Sequence, residues 1–302
     1  MLVSGDIMFK TFKLSAAVCI ALSAALAAVA VVLLSGFSVS REKKPVMKED
    51  STSRVLPILM YHSVVNDPSL RGDYVITCDD LEQDIRWLTQ NGYTPVFCNE
   101  LPQFVSGSGK LPEKPVILSF DDGCYNNFYY VLPILEKYKV KAVFAVVGEW
   151  TVISAEEAEP SPVYSSMDTD NLRSLVYSGY CELANHTWSM HSLGDEGGRR
   201  GVLPLAGEDD RDYRRALWGD LTDCAKVIKA AGQQPTTLAY PYGFYTDKTE
   251  QLVKELGYTV TLSCEERVNT VSVGDYECLS GMGRFNRSAD TTAEQIITAI
   301  GE

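Results

Sequence analysis

The chain has 302 residues, 45% of them hydrophobic and 22% charged, and carries a net charge of −13 at pH 7. That acidic balance argues against nucleic acid as a partner, because phosphate binding needs a basic face that displaces counterions. The eight cysteines (Cys19, Cys78, Cys98, Cys124, Cys181, Cys224, Cys264 and Cys278) contain no CxxC pair, so a thiolate zinc site is not expected.

From Leu14 to Ser40 no residue is charged, and the stretch is apolar over the roughly 20 residues that a membrane-spanning helix needs. Lys10 and Lys13 precede it and Arg41, Lys43 and Lys44 follow, so charge bias does not fix an orientation. The expected organisation is a cytoplasmic stretch over 1–13, a transmembrane anchor or signal over 14–37, a polar linker over 38–53 and one domain over 54–302. A cleaved signal ending near Ala28-Val29-Ala30 is the alternative, but the run exceeds the usual signal core of about 7 to 15 residues. Either way the domain is expected outside the cytoplasm, at the cell membrane or secreted, and as a monomer. Cys19 falls in the apolar run, so an odd number of cysteines lies beyond it and at least one should be free or paired with another molecule.

Beyond the linker, strand and helix patterns alternate. Val55–Tyr61 reads as a buried strand. Thr77 and Asp80 give a capping-box start to a helix with Leu81, Ile85 and Leu88 on one face, stopped at Gly92. Thr94–Phe97 is extended, Pro115–Phe120 a strand, Val131–Tyr138 part of a helix and Lys141–Val147 a strand. Leu172, Leu175 and Val176 mark a helix ended by Gly179, and Cys181–Ala184 is the next strand. Tyr213, Leu217, Leu221, Cys224 and Ile228 define a long helix closed by Gly232. Thr237–Tyr240, a helix near 247–256 and Thr259–Ser263 complete the series. Strands separated by helices pair in parallel, which points to an α/β barrel or a wide doubly wound sheet. Residues 149–169 and 192–212 break the rhythm and read as solvated insertions or a lid.

The chemistry gathers at strand ends. Asp121-Asp122-Gly123 follows the strand Pro115–Phe120, and each of the three histidines lies at or just past a strand: His62 after the first, His186 and His191 after Cys181–Ala184. Five residues apart on a helix, His186 and His191 would point about 140° from each other, so they converge from a strand end and its loop. One carboxylate with two imidazoles makes a three-ligand set that leaves a position open, the arrangement of hydrolytic zinc sites. Cobalt, nickel and manganese also accept that set.

Ser119-Phe120-Asp121-Asp122-Gly123 resembles the first motif of the polysaccharide deacetylases, the NodB-homology or carbohydrate esterase family 4 enzymes. Asn185–His191 is similar to their second motif and Tyr240-Pro241-Tyr242-Gly243 to their third, and the likeness extends over about residues 55–290. The resemblance implies a distorted (β/α) barrel with its site at the C-terminal strand ends. It implies one divalent ion, zinc in the first instance, on Asp122, His186 and His191, with Asp121 as the base acting on the attacking water. The Tyr242 backbone N–H would help hold the oxyanion. The chain departs from the common pattern in three ways: its motif histidines are five rather than four apart, Ala239 stands where the third motif has Arg, and no histidine follows His191. These departures resemble the poly-N-acetylglucosamine deacetylase branch, where an early Tyr-His stands in for the late motif. Leu59-Met60-Tyr61-His62 fits and makes His62 the expected general acid. Arg284 is a candidate either for the missing Arg or for a substrate contact, with an ordinary surface arginine the alternative. Trp188, Tyr125 and Tyr242 are candidates for stacking on sugar rings, with core or rim packing the alternative. The implied activity is removal of N-acetyl groups from an extracellular N-acetylhexosamine polymer, peptidoglycan or poly-N-acetylglucosamine. The alternatives are a catalytically inactive wall-glycan binder or an esterase of O-acetylated glycans such as xylan.

Overall fold

The computed structural model describes residues 52–301. The expected membrane segment over 14–37, the stretch before it and nearly all of the linker lie outside the described residues. Among the described residues no helix is long and apolar enough to cross a membrane.

The first strand of the sequence pattern is two strands. Pro57 has no N–H to give a ladder, and the chain breaks there into β1 (Ser53–Leu56) and β2 (Ile58–Tyr61). Two short strands follow, β3 (Ser63–Val65) and β4 (Val75–Thr77), paired with each other. The helix Cys78–Gln90 then starts at a capping box formed by Thr77 and Asp80, as their spacing predicts. β5 is shorter than expected (Thr94–Pro95), whereas β6 (Pro115–Phe120) matches its apolar run. The remaining strands are β7 (Ala142–Val146), β8 (Cys181–Asn185), β9 (Thr237–Ala239), β10 (Val260–Leu262), β11 (Asn269–Ser272) and β12 (Phe285–Asn286). The helices Leu132–Tyr138, Thr169–Ser178, Asp210–Ala230 and Asp247–Glu255 fall where the apolar spacing puts them. The pattern did not disclose the helices Leu101–Val105, Gly148–Ser154 and Ala293–Gly301.

The sheet runs β10-β9-β8-β7-β6-β2-β12 and is parallel throughout. Its two ends meet through the segment before β12. Met282 N–H donates to the Thr261 carbonyl and Ser263 N–H to the Met282 carbonyl, both at 2.8 Å, while β12 pairs with β2. The result is a distorted barrel.

Side chains alternate along each strand. Ile58, Ile117, Val143, Ala145, Ala184, Ala239, Val260 and Leu262 fill the interior. Leu59, Leu118, Phe144 and Leu183 face outward onto Leu81, Ile85, Leu135, Leu172 and Ile228 of the helices. β1 and β11 pair antiparallel and seal the end at which β2 begins, with Leu56 and Val271 in the interior cluster. The opposite end, where the strands finish, is left for the site. The C-terminal helix is fastened by a buried ion pair, Arg287 Nε to Asp84 Oδ2 at 2.6 Å. Asp84 Oδ1 also accepts from the Ala293 N–H at that helix's start.

Candidate active site

β6 ends in a turn that uses positive φ twice in succession, at Asp122 (71°) and Gly123 (72°). Asp tolerates the left-handed region better than most side chains, and the reversal sends two adjacent carboxylates in different directions. Asp121 points into the barrel, where it is buried. Arg284 meets it there: Nη1 donates to Asp121 Oδ1 at 2.7 Å and to Ser119 Oγ at 2.8 Å, and Nε donates to the Ser263 carbonyl at 2.8 Å. Burial alone would raise the Asp121 pKa, but the Arg284 and His186 charges outweigh it and hold the carboxyl below its ordinary range.

Arg284 is therefore neither a surface arginine nor a substrate contact. Its side chain is fully buried and its donors are spent on the barrel interior. Ala239, where the third motif would have an arginine, contributes its backbone instead. Its carbonyl pairs with His186 Nδ1 at 2.8 Å, which leaves Nε2 facing Asp122 Oδ1 at 3.5 Å. His191 Nε2 approaches the same oxygen at 3.2 Å. Burial opposes ionisation of Asp122, but hydrogen bonds from both histidines keep its pKa well below the carboxylate range.

One donor atom from each of Asp122, His186 and His191 lies within 4.8 Å of the others. The five-residue spacing is met as the sequence requires, from a strand end and its loop. Thr187 takes a φ of 70°, and its N–H bonds back to Asn185 Oδ1 at 2.8 Å. The next two amides are clasped by one carboxylate, Asp220, which accepts from Trp188 N–H at 2.7 Å and Ser189 N–H at 2.9 Å. Sequence reasoning missed Asp220. The available signal was an acid at a core position of the long helix, between Leu217 and Leu221 on its apolar face.

His62 follows β2, and its carbonyl accepts from Asn127 Nδ2 at 3.0 Å. Its Nδ1 is buried without a hydrogen-bond partner, and its ring meets Tyr74 edge-on at 4.8 Å. Burial lowers the His62 pKa, and the attraction of Asp121 and Asp122 offsets this only in part. Tyr242 occupies a turn at φ 57°, with its hydroxyl 3.2 Å from His191 Nδ1 and its ring 4.7 Å from the imidazole.

Trp150 also borders His191, at 5.0 Å between centroids. It too was missed, although it lies just past β7 at the strand end where barrel sites are built. The insertion after β7 thus begins as a helix packed on the histidine loop. Gly148 N–H donates to the Thr187 carbonyl at 3.0 Å and Glu149 N–H to the Trp188 carbonyl at 3.1 Å.

Trp188, a stacking candidate from the sequence, has its ring half-buried against Gly148, where an added Cβ would come within 2.8 Å of it. It packs on the outer core cluster, along a groove with Gly219 and Asp223. Tyr125 is half-buried, its ring 5.9 Å from those of both Phe128 and Tyr129. The cysteines among the described residues are all free thiols.

The donor set fits a divalent ion. Two imidazole Nε2 atoms and one carboxylate oxygen converge, and the far nitrogen of each ring is oriented by a partner.

A family model described as polysaccharide deacetylase matches residues 108–261. The poly-beta-1,6-N-acetyl-D-glucosamine N-deacetylase of Escherichia coli (strain K12) is 26% identical over 264 residues, which is 80% of this chain and 38% of that protein. The chain thus spans well under half of that relative's length. The Staphylococcus aureus (strain MRSA252) protein of the same name is 27% identical over 209 residues, covering 68% of this chain and 66% of that protein. A solved structure of a de-N-acetylase from Aggregatibacter actinomycetemcomitans superposes with a TM-score of 0.69 at 26% identity, over 81% of this chain and 99% of that one.

Proposed function

The chain belongs to the polysaccharide deacetylase family, and from that premise we propose that it is a metal-dependent hydrolase that removes N-acetyl groups from an N-acetylhexosamine polymer, poly-β-1,6-N-acetylglucosamine being the best-supported substrate. The observation that carries the reading is the convergence of Asp122, His186 and His191 beside a second carboxylate held ionised by Arg284. A binder without catalysis has no use for both.

Asp122, His186 and His191 would hold the ion. A divalent metal bound there supplies Lewis acidity, lowering the pKa of water and polarising an acyl oxygen.

The rest falls to the protein's own groups. Asp121 accepts a proton from the attacking water, and the Arg284 ion pair keeps it charged and fixes its rotamer for that task. The backbone N–H of Tyr242 is the donor assigned to the oxyanion, and the positive φ of its turn sets that amide's direction. His62 delivers a proton to the departing amine. Its unpartnered buried Nδ1 and its edge contact with Tyr74 leave the ring uncommitted to any structural bond there.

The apolar stretch over 14–37 supports a membrane anchor with the domain outside the cytoplasm. Protease accessibility of the domain in intact cells tests that placement.

The activity is tested by acetate release from N-acetylglucosamine oligomers, with added zinc and with a chelator. Metal-dependent acetate is the expected result. Tight metal and glycan binding without acetate would overturn the hydrolase reading in favour of a binding protein.

A further inference from the structure

The insertion after β7 returns to the catalytic turn. Cys124 and Ser166 form an antiparallel bridge, Tyr125 N–H donates to the Ser165 carbonyl at 2.8 Å, and Met167 N–H donates to the Gly123 carbonyl at 2.8 Å. Tyr164, 90% exposed, directly precedes Ser165 and is thereby held beside Tyr125, three residues past Asp122. Its segment is braced from within: Ser161 N–H donates to Ser165 Oγ at 2.8 Å, and that hydroxyl donates to Glu157.

The other side of the bridge presents more rings. Tyr125 lies 5.9 Å from Tyr129, which is 52% exposed and 4.8 Å from Tyr130. Tyr129 and Tyr130 sit on a π-helical turn, Asn127–Val131, a rare geometry found frequently at functional sites, and Tyr125 lies just before it.

The turn is locked to the strand after β2. Asn126 Oδ1 accepts from Val64 N–H at 3.2 Å, Asn126 Nδ2 donates to Ser63 Oγ at 2.7 Å, and Asn127 Nδ2 donates to the His62 carbonyl at 3.0 Å. The backbone that carries Tyr125 and Tyr129 is therefore fixed with respect to both His62 and Asp122. Tyr129 and Tyr164 leave large apolar faces in water, which a core role does not explain. Such faces match the C–H faces of a pyranose ring, and the tyrosine hydroxyls suit its hydroxyl rim.

We propose that Tyr125, Tyr129 and Tyr164 form a carbohydrate subsite beside the deacetylation centre, stacking on a hexosamine unit adjacent to the one that loses its acetyl group. This rests on the deacetylase reading above.

The test uses the full chain in detergent with added zinc, and compares wild type with the Tyr129→Ala/Tyr164→Ala double variant. The substrates are N-acetylglucosamine oligomers from monomer to pentamer, with 4-nitrophenyl acetate as a small acyl substrate. The double variant should lose about 10-fold in kcat/KM on the pentamer, through KM. The monomer and the small ester should be hydrolysed as by wild type, and Tyr164→Trp with Tyr129 intact should keep the pentamer activity. A double variant with the wild-type length dependence overturns the subsite, as does an equal loss on the small ester, which marks a merely structural role. A wild-type chain that hydrolyses the ester but releases no acetate from any oligomer overturns the deacetylase reading, and the subsite with it.

Discussion

Glu182→Gln should make this protein more stable at alkaline pH while leaving it unchanged in acid. Glu182 lies inside the barrel, 1% exposed, with one oxygen accepting from Thr237 Oγ1 at 3.0 Å and the other from Asn99 N–H at 3.1 Å. Burial pushes its pKa from 4.5 up to about 7, and the hydrogen bonds from Asn99 and Thr237 only partly oppose that. The folded state thus holds this proton more tightly than the unfolded chain does. The resulting stability is fully present below pH 4.5 and is lost as pH rises through about 7. The difference between 7 and 4.5 is about 2.5 units, which at about 1.4 kcal/mol each amounts to roughly 3 to 4 kcal/mol. A Gln at this position accepts from Asn99, donates to Thr237 Oγ1 and never ionises. Urea midpoints at constant m-value, measured for both proteins from pH 4 to pH 8.5, give the difference directly, because every other titrating group cancels. The variant should match wild type near pH 4 and exceed it by roughly 3 to 4 kcal/mol above pH 8. A difference that stays flat with pH, or a variant that weakens as pH rises, would refute the assignment of a buried neutral carboxyl.

Arg284→Met strands Asp121 as an unpaired buried acid, so stability should fall by about 3 to 5 kcal/mol in chemical denaturation. In the surviving folded fraction the acid limb of the kcat/KM profile should move to higher pH, since the charge that depresses the Asp121 pKa is gone; an unmoved limb would remove Asp121 from the rate-determining ionisation. Asp220→Ala releases the amides of Trp188 and Ser189 and should weaken zinc binding about 10- to 100-fold in competition titrations, with far-UV circular dichroism unchanged. Zinc affinity equal to wild type would show that the histidine loop holds its shape without that clasp. His62→Ala should lower kcat by about 10² to 10⁴ with the fold intact, and full activity would remove it from the mechanism.

Much of the scaffold was legible because its signals are local. The run Pro115–Phe120, the capping box at Thr77 and Asp80, and the apolar face from Tyr213 to Ile228 became the elements their spacing implies. Where the reading slipped, a neighbour far away in sequence decided. Val55–Tyr61 split because Pro57 interrupts it and β11, more than 200 residues on, takes the first half as a partner. β12 has only two residues and no pattern of its own, and it forms against β2 just after Met282 has bridged to Leu262 of β10. Tyr129 and Tyr164 belong to segments that look unrelated in sequence until the Cys124–Ser166 bridge joins them.

The polar groups of the candidate site were placed by the sequence itself: two carboxylates and three histidines, all at or just past strand ends, in a chain with no other histidine. Parallel barrels deliver their strand ends to one face, so residue type and position along each strand suffice to bring them together. What holds those groups in working order was decided only by the tertiary structure. Arg284 reaches Asp121 from 163 positions away, Asp220 clasps the histidine loop from the middle of a helix, and Trp150 borders His191. Burial demands a cation for Asp121 and an acceptor for the loop amides. Which residue answers each demand depends on where barrel closure places side chains that no local spacing relates.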